Sequence, residues 1–145
     1  MEYKTDKRTK NLTLRDIHVG DWVQEWSPMA ERYSPPMKVS CINYDGTVYL
    51  VSDDENYCNP DEIEIENVDA LPITPELLKG FGFKARPTQT YFLEYPDYHL
   101  IYHWGTILLK GNPSISCECE YFHELQQFLD SIGEPSDFTW KGIEL

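Results

Sequence analysis

The side chains in this chain best suited to chemistry fall late in the sequence: His99, His103, Cys117, Cys119 and His123. On a strand, residues two or four apart share a face, so His99 with His103 and Cys117 with Cys119 could each present a pair of ligands. Sulfur and imidazole together suit tetrahedral zinc. Structural zinc sites, however, usually place two to four residues between paired cysteines, and only Glu118 separates Cys117 from Cys119. The competing reading is inward-facing thiols with partly exposed imidazoles. Nucleophilic catalysis needs a Ser or Cys held against a base, as Cys117 with His123 could be. The chain has no G-x-S-x-G elbow, H-E-x-x-H pair, phosphate loop or dinucleotide fingerprint to select a reaction. The residues therefore assign no catalytic group, cofactor or metal, and they lean away from an enzyme. A small metal-dependent or cysteine/histidine hydrolase stays as the alternative, with His99, His103, Cys117, Cys119 and His123 as its metal candidates.

Carboxylates are plentiful, but Glu62, Glu64 and Glu66 alternate with Ile63 and Ile65 and are expected to point outward from a strand, where solvent keeps them ordinary acids. Aromatics offer a different chemistry. Trp22, Trp26, Tyr102 and Trp104 are candidate anchors for a protein partner, since aromatic side chains are enriched at interfaces. Tyr91, Tyr95, Tyr98, Tyr102 and Trp104 read as a cross-strand ladder or, less readily, as a platform for stacking bases.

Positioning these residues falls to a chain that is long enough for one compact domain or one built from two halves, burying roughly 70% of its unfolded surface. Twenty-five Asp and Glu against twelve Lys and Arg give a formal charge of −13, which opposes generic binding to phosphate backbones. Charge is uneven: Lys4, Lys7, Arg8, Lys10 and Arg15 open the chain, and no Lys or Arg falls between Lys38 and Lys79. Within that gap lie Asp45, Asp53, Asp54, Glu55, Asp61, Glu62, Glu64, Glu66 and Asp69. The start lacks the apolar core of a secretory signal and no stretch approaches a membrane span, so a cytoplasmic location is expected. Cys41, Cys58, Cys117 and Cys119 then read as free thiols.

Residues 1–11 are polar and basic and read as a flexible tail. Residues 12–70 look β-rich. Gly20-Asp21 turns into Trp22–Trp26, Ser27–Pro36 reads as a proline-rich loop, and Met37–Ile42 is joined through Asp45-Gly46 to Thr47–Val51 as a tight hairpin. Glu62–Glu66 completes an SH3-like small barrel. Residues 71–145 begin with a short helix announced by Thr74-Pro75-Glu76. A four-stranded antiparallel meander follows, from Tyr91–Tyr95 through Tyr98–Trp104 and Thr106–Leu109 to Ser114–Cys119. A last helix over Tyr121–Ile132 carries an apolar stripe that covers the meander, and Trp140 packs behind it or joins a further strand. The expected fold class is α+β: an N-terminal SH3-like β-barrel portion, then an antiparallel meander packed by a C-terminal helix.

Three motifs in order carry a resemblance: L-R-x-I-x-V-G-D-W-V over Leu14–Val23, Leu71-Pro72-Ile73-Thr74-Pro75-Glu76-Leu77-Leu78 leading to Phe81-Gly82-Phe83, and Tyr121-Phe122-His123-Glu124-Leu125-Gln126 before Phe128-Leu129 and Gly133. Together they resemble a family of small proteins of gut bacteria found in prophage and other mobile-element neighbourhoods. The chain departs from that family at Phe122 and Glu124 and in the expanded loop Ser27–Pro36. The resemblance implies architecture and setting, not a reaction. The expected function is a noncatalytic interaction or accessory protein whose acidic rim and aromatic anchors meet a protein partner with a basic surface. A further alternative is an acidic DNA mimic that blocks a DNA-binding protein, which would need carboxylates spaced along one face.

Overall fold

The hairpin at Asp45-Gly46 shows how local chemistry sets the first part of the chain. Gly46 adopts a positive φ of 93°, and Asp45 Oδ1 accepts bonds from the Thr47 hydroxyl at 2.7 Å and the Thr47 N–H at 3.2 Å. A glycine meets that backbone angle without strain, and the aspartate closes the turn. The computed structural model describes residues 8–52, 62–86, 90–94, 99–103, 105–110, 115–134 and 138–142. Among them the chain is an α+β protein of antiparallel sheets, with a curled half-barrel sheet and one C-terminal helix. It divides into two compact units, Met1–Leu71 and Pro72–Leu145.

The first unit contains β1 (Trp22–Ser27), β2 (Arg32–Tyr33), β3 (Met37–Ile42), β4 (Thr47–Val51), β5 (Ile63–Glu64) and β6 (Val68–Asp69). The order β2-β1-β3-β4-β5 is joined by β6, which also pairs with β1. β1 is paired with three partners along six residues and is also hidden on both faces: Trp22 and Val23 have no exposed surface, and Gln24 and Trp26 are buried. A bulge between Val39 and Cys41 shifts the register of β3 against β4, and bulges of this kind bend a sheet and increase its twist.

Three expectations change here. The loop Ser27–Pro36 contains β2, a two-residue strand held by Trp26 opposite Tyr33 and Ser27 opposite Arg32. The alternation Glu62–Glu66 stops at Glu64, because the chain turns into a short 3-10 helix over Ile65–Asn67 as the Ile65 N–H donates to the Gly46 carbonyl. Residues 8–11 of the polar tail are pinned: the Thr9 hydroxyl donates to the Ala70 carbonyl, and the Ala70 N–H donates to the Lys10 carbonyl.

The second unit runs α1 (Pro75–Gly80), β7 (Lys84–Arg86), β8 (Thr90–Glu94), β9 (His99–His103), β10 (Thr106–Lys110), β11 (Ile115–Glu118) and α2 (Phe122–Ser131). Thr74 caps α1, its hydroxyl accepting the Leu77 N–H at 3.1 Å, and Pro75 occupies the first turn. Glu124 caps α2 from within, its Oε1 accepting the N–H groups of Glu120 and Tyr121. The sheet has five strands in the order β11-β10-β9-β8-β7, not four. The unexpected strand, Lys84–Arg86, is exposed at all three residues and is held by pairing with Thr90–Phe92.

Register divides this sheet into two faces. Leu100, Ile107 and Leu109 are buried on the inner face, with Tyr91, Leu93, Tyr102, Ile115 and Cys117 half-buried beside them. Phe122, Leu125 and Leu129 form the buried stripe of α2. An aromatic cluster fills the rest of the core: Phe81 stacks on Phe122 with ring centres 4.2 Å apart, Phe138 meets Phe122 edge-on at 5.2 Å, and Trp140 meets Phe81 edge-on at 4.9 Å. Trp140 lies so close to Gly80 that a β-carbon there would overlap its ring carbons.

Candidate functional site

Parity within the second sheet separates the histidines from the cysteines. His103 lies opposite Thr106, and Thr106 lies opposite Glu118, so these three share the outer face. Cys117 sits one residue earlier, opposite Ile107, and belongs to the inner face. His99 and His103 occupy the two ends of β9, about 13 Å apart at the rise of an extended strand. The Nδ1 of His103 is 2.7 Å from the Thr90 hydroxyl. His123 is buried on α2, its ring centre 6.2 Å from that of Tyr121. The candidate metal set is thus dispersed between opposite faces and a helix core, and among the described residues no group of three His, Cys, Asp or Glu is arranged to hold an ion.

Two of the four candidate anchors are core residues. Trp22 has no exposed surface and carries the Lys38 ammonium 5.5 Å from its ring centre, while Trp26, 8% exposed, meets Tyr33 edge-on at 4.9 Å. Neither can insert into a partner. Trp104 lies outside the described residues, as do Tyr95 and Tyr98 of the aromatic row and Asp53, Asp54, Glu55, Cys58 and Asp61. Tyr102, directly opposite Tyr91, is the anchor that remains.

Tyr102 opens into a cleft of about 690 Å³ in the second unit, lined also by Pro72, Ile73, Gly105, Thr106, Glu118, Cys119, Glu120 and Glu124. Antiparallel bridging of Pro72 to Tyr121 and donation of the Ile73 N–H to the Glu120 carbonyl form one wall. The Cys119 N–H donates to the Gly105 carbonyl and fixes the end of β11 against the β9–β10 turn. Glu118 and Glu120 are exposed at the rim and Glu124 is half-buried.

Electrostatics in the cleft favour protonated neutral groups and added positive charge. Burial pushes the Cys119 thiol up to about 12, with the neighbouring Cys117 and Glu124 acting in the same direction. Burial also raises the Tyr102 phenol, reinforced by Cys119 and Glu120 and opposed by a backbone bond at Gly105. A thiol so placed is neutral near pH 7 and is a poor nucleophile. Sequence reasoning found Tyr102 but not the cleft, because Pro72, Gly105 and Glu118 converge only through long-range pairing.

In the first unit a cleft of about 500 Å³ is lined by Glu25, Ser27, Ala30, Arg32, Tyr33, Ser34 and Pro35. Its polar groups hold the loop together: Ser34 Oγ accepts the Glu25 N–H and donates to the Pro35 carbonyl, and the Tyr33 hydroxyl donates to Asp69 at 2.6 Å. Asp69 is fully buried and also binds Arg8 through Nε at 2.9 Å and Nη2 at 2.6 Å, and Asn11 at 3.2 Å.

The acidic stretch is partly structural for the same reason. Asp45 closes a turn, Glu62 accepts bonds from Asn43 and Thr47, and Asp69 is internal, which leaves Glu64 and Glu66 as the exposed carboxylates of the stretch, among the described residues, that accept no such bond. Among the described residues no helix is long and apolar enough to cross a membrane. Compared with models of known protein families, with characterised proteins and with solved structures, the chain matches none.

Proposed function

We propose that this chain is a noncatalytic protein-interaction module, acting in the cytoplasm, whose Tyr102 cleft receives a lysine or arginine side chain of a basic protein partner. The observation that carries the reading is the set of three carboxylates, Glu118, Glu120 and Glu124, around a cleft with one tyrosine ring in it. An ammonium or guanidinium entering there gains charge-assisted bonds from the rim and attraction to the ring face. Glu124 already uses Oε1 to cap α2, so Glu118 and Glu120 are the principal acceptors. The neutral thiol of Cys119 supports binding over nucleophilic catalysis. The resemblance described above suggests a prophage or related mobile element as the setting.

The test uses the full chain and a fluorescent arginine-rich peptide of about ten residues, followed by anisotropy at two salt concentrations. Saturable binding is expected, weakened about tenfold by Tyr102→Leu and by Glu120→Gln, which corresponds to ~1.4 kcal/mol for each. Equal binding by the wild type and both variants would assign the attraction to general acidity and remove the cleft from the account.

A further inference from the structure

The outer face of the second sheet carries a pattern that the cleft does not use. Antiparallel register sets Phe92, Ile101 and Leu108 side by side across β8, β9 and β10, all three half-buried. With neighbouring strands about 4.8 Å apart, the row is an apolar strip on the order of 10–15 Å long. Three cations border it, with Glu94 and Glu118 at two of its corners. Lys84 lies opposite Phe92 on β7, the Arg86 guanidinium sits 4.1 Å from the centre of the Phe92 ring, and Lys110 lies opposite His99, itself opposite Glu94, in the next row. Lys84, Arg86 and Lys110 are all exposed, as is His103 in the row on the other side.

This arrangement runs against the composition around it. Residues 72–145 contain five Lys and Arg (Lys79, Lys84, Arg86, Lys110 and Lys141) against ten Asp and Glu. Three of those five cations are gathered on one sheet face. Glu118, opposite Thr106 at the corner of that face, also borders the cleft.

We propose that this face docks an acidic amphipathic segment of a protein partner, with apolar side chains on the Phe92, Ile101 and Leu108 row and carboxylates on Lys84, Arg86 and Lys110. Charge complementarity selects the occupant. A second copy docked through the same face about a two-fold axis would bring each cation set toward its own mate, and like charges across an interface are costly. A single nucleic-acid strand would find the phenyl ring of Phe92 already covered by Arg86 and would leave the apolar row unused. An acidic amphipathic segment meets the same net charge of −13 but sets its apolar side chains on that row. The guanidinium over Phe92 still presents its N–H fork in the plane of the group, the geometry that grips a carboxylate through two bonds. The inference stands apart from the proposed cleft and calls for a partner surface of opposite charge.

The experiment uses the full chain and a labelled peptide of about twelve residues with Leu or Phe at i, i+3, i+4 and i+7 and Glu elsewhere. The comparators are the same peptide with Lys in place of Glu, and an oligothymidylate of about ten nucleotides. The acidic peptide is expected to bind at least about tenfold more tightly than either. Arg86→Glu and Lys110→Glu, each verified as folded by circular dichroism, should weaken it about tenfold, and its addition should shift the NMR methyl signals of Ile101 and Leu108. Glu120→Gln, in the cleft, should leave that affinity within about twofold. Comparable binding of the Lys peptide, tighter binding of the oligothymidylate, indifference to both charge reversals, or loss on Glu120→Gln would each overturn the proposal.

Discussion

In the first unit a fully buried carboxylate, Asp69, is bonded to Arg8, Tyr33 and Asn11, whereas in the second unit Glu118 and Glu120 stand exposed around a cleft and the core is held by phenylalanine and tryptophan rings. The same residue type thus serves as an internal tie in one half and as surface chemistry in the other. Burial decides which. A buried carboxylate needs every acceptor filled, and once filled it is unavailable to a partner. An exposed one contributes little to stability and can serve recognition.

The sharpest way to break this contrast is to remove one acid from each unit. Asp69→Ala removes the carboxylate that Arg8, Tyr33 and Asn11 share, leaving the Arg8 Nε and the Tyr33 hydroxyl without that acceptor, and is expected to cost about 3 kcal/mol in urea unfolding, while Glu120→Gln should stay within about 0.5 kcal/mol. Equal losses would end the distinction. Next in size is Cys119. A thiol that burial pushes up to about 12 is scarcely ionised near neutrality, so iodoacetamide should label it at least about tenfold more slowly than exposed Cys41 at pH 8, as read by mass spectrometry.

The same shift has a sign in stability. The folded state holds the proton more tightly than the unfolded chain, so this contribution is complete below pH 9 and is lost as pH rises toward 12. Urea midpoints at pH 8 and 10.5 should therefore fall more in the wild type than in Cys119→Ala. Gly80→Ala tests the aromatic core: the added methyl must displace Trp140, with an expected loss of about 1–3 kcal/mol and a change in tryptophan fluorescence. Thr74→Ala, which removes one helix cap, should cost about 1 kcal/mol by thermal unfolding.

Features written within a few neighbouring residues were legible in the sequence. Asp45-Gly46, Thr74-Pro75-Glu76 and the stripe from Phe122 to Leu129 each carry their own physical reason, and each forms the expected element. What escaped depended on partners far along the chain. Lys84–Arg86 has two long charged side chains around an alanine and little strand preference, so only β8 makes it a strand. Trp22 and Trp26 read as anchors because aromatic type does not distinguish core from surface, and both lie in the core of the first unit. His99, His103, Cys117 and Cys119 looked like one cluster until register assigned the imidazoles and the β11 thiol to opposite faces. Tyr102 was named, but its carboxylate surroundings were not. The cations of the outer face, on β7 and β10, become neighbours only across the sheet.

The bonds between Arg8 and Asp69 join residues 61 positions apart, and β1 receives β6 only when the end of the unit is present. The first unit therefore closes late: a chain emerging from a ribosome cannot complete it before Asp69 has left the exit tunnel. The second sheet pairs each strand with the next along the sequence, so its contacts are local and its closure entropy is small at every step. The core behind that sheet is not local: the Lys141 N–H bonds the Gly80 carbonyl 61 positions earlier and Trp140 meets Phe81, so in Pro72–Leu145 an early-pairing sheet waits for a late-closing aromatic core, its inner face open to misplaced contacts until then.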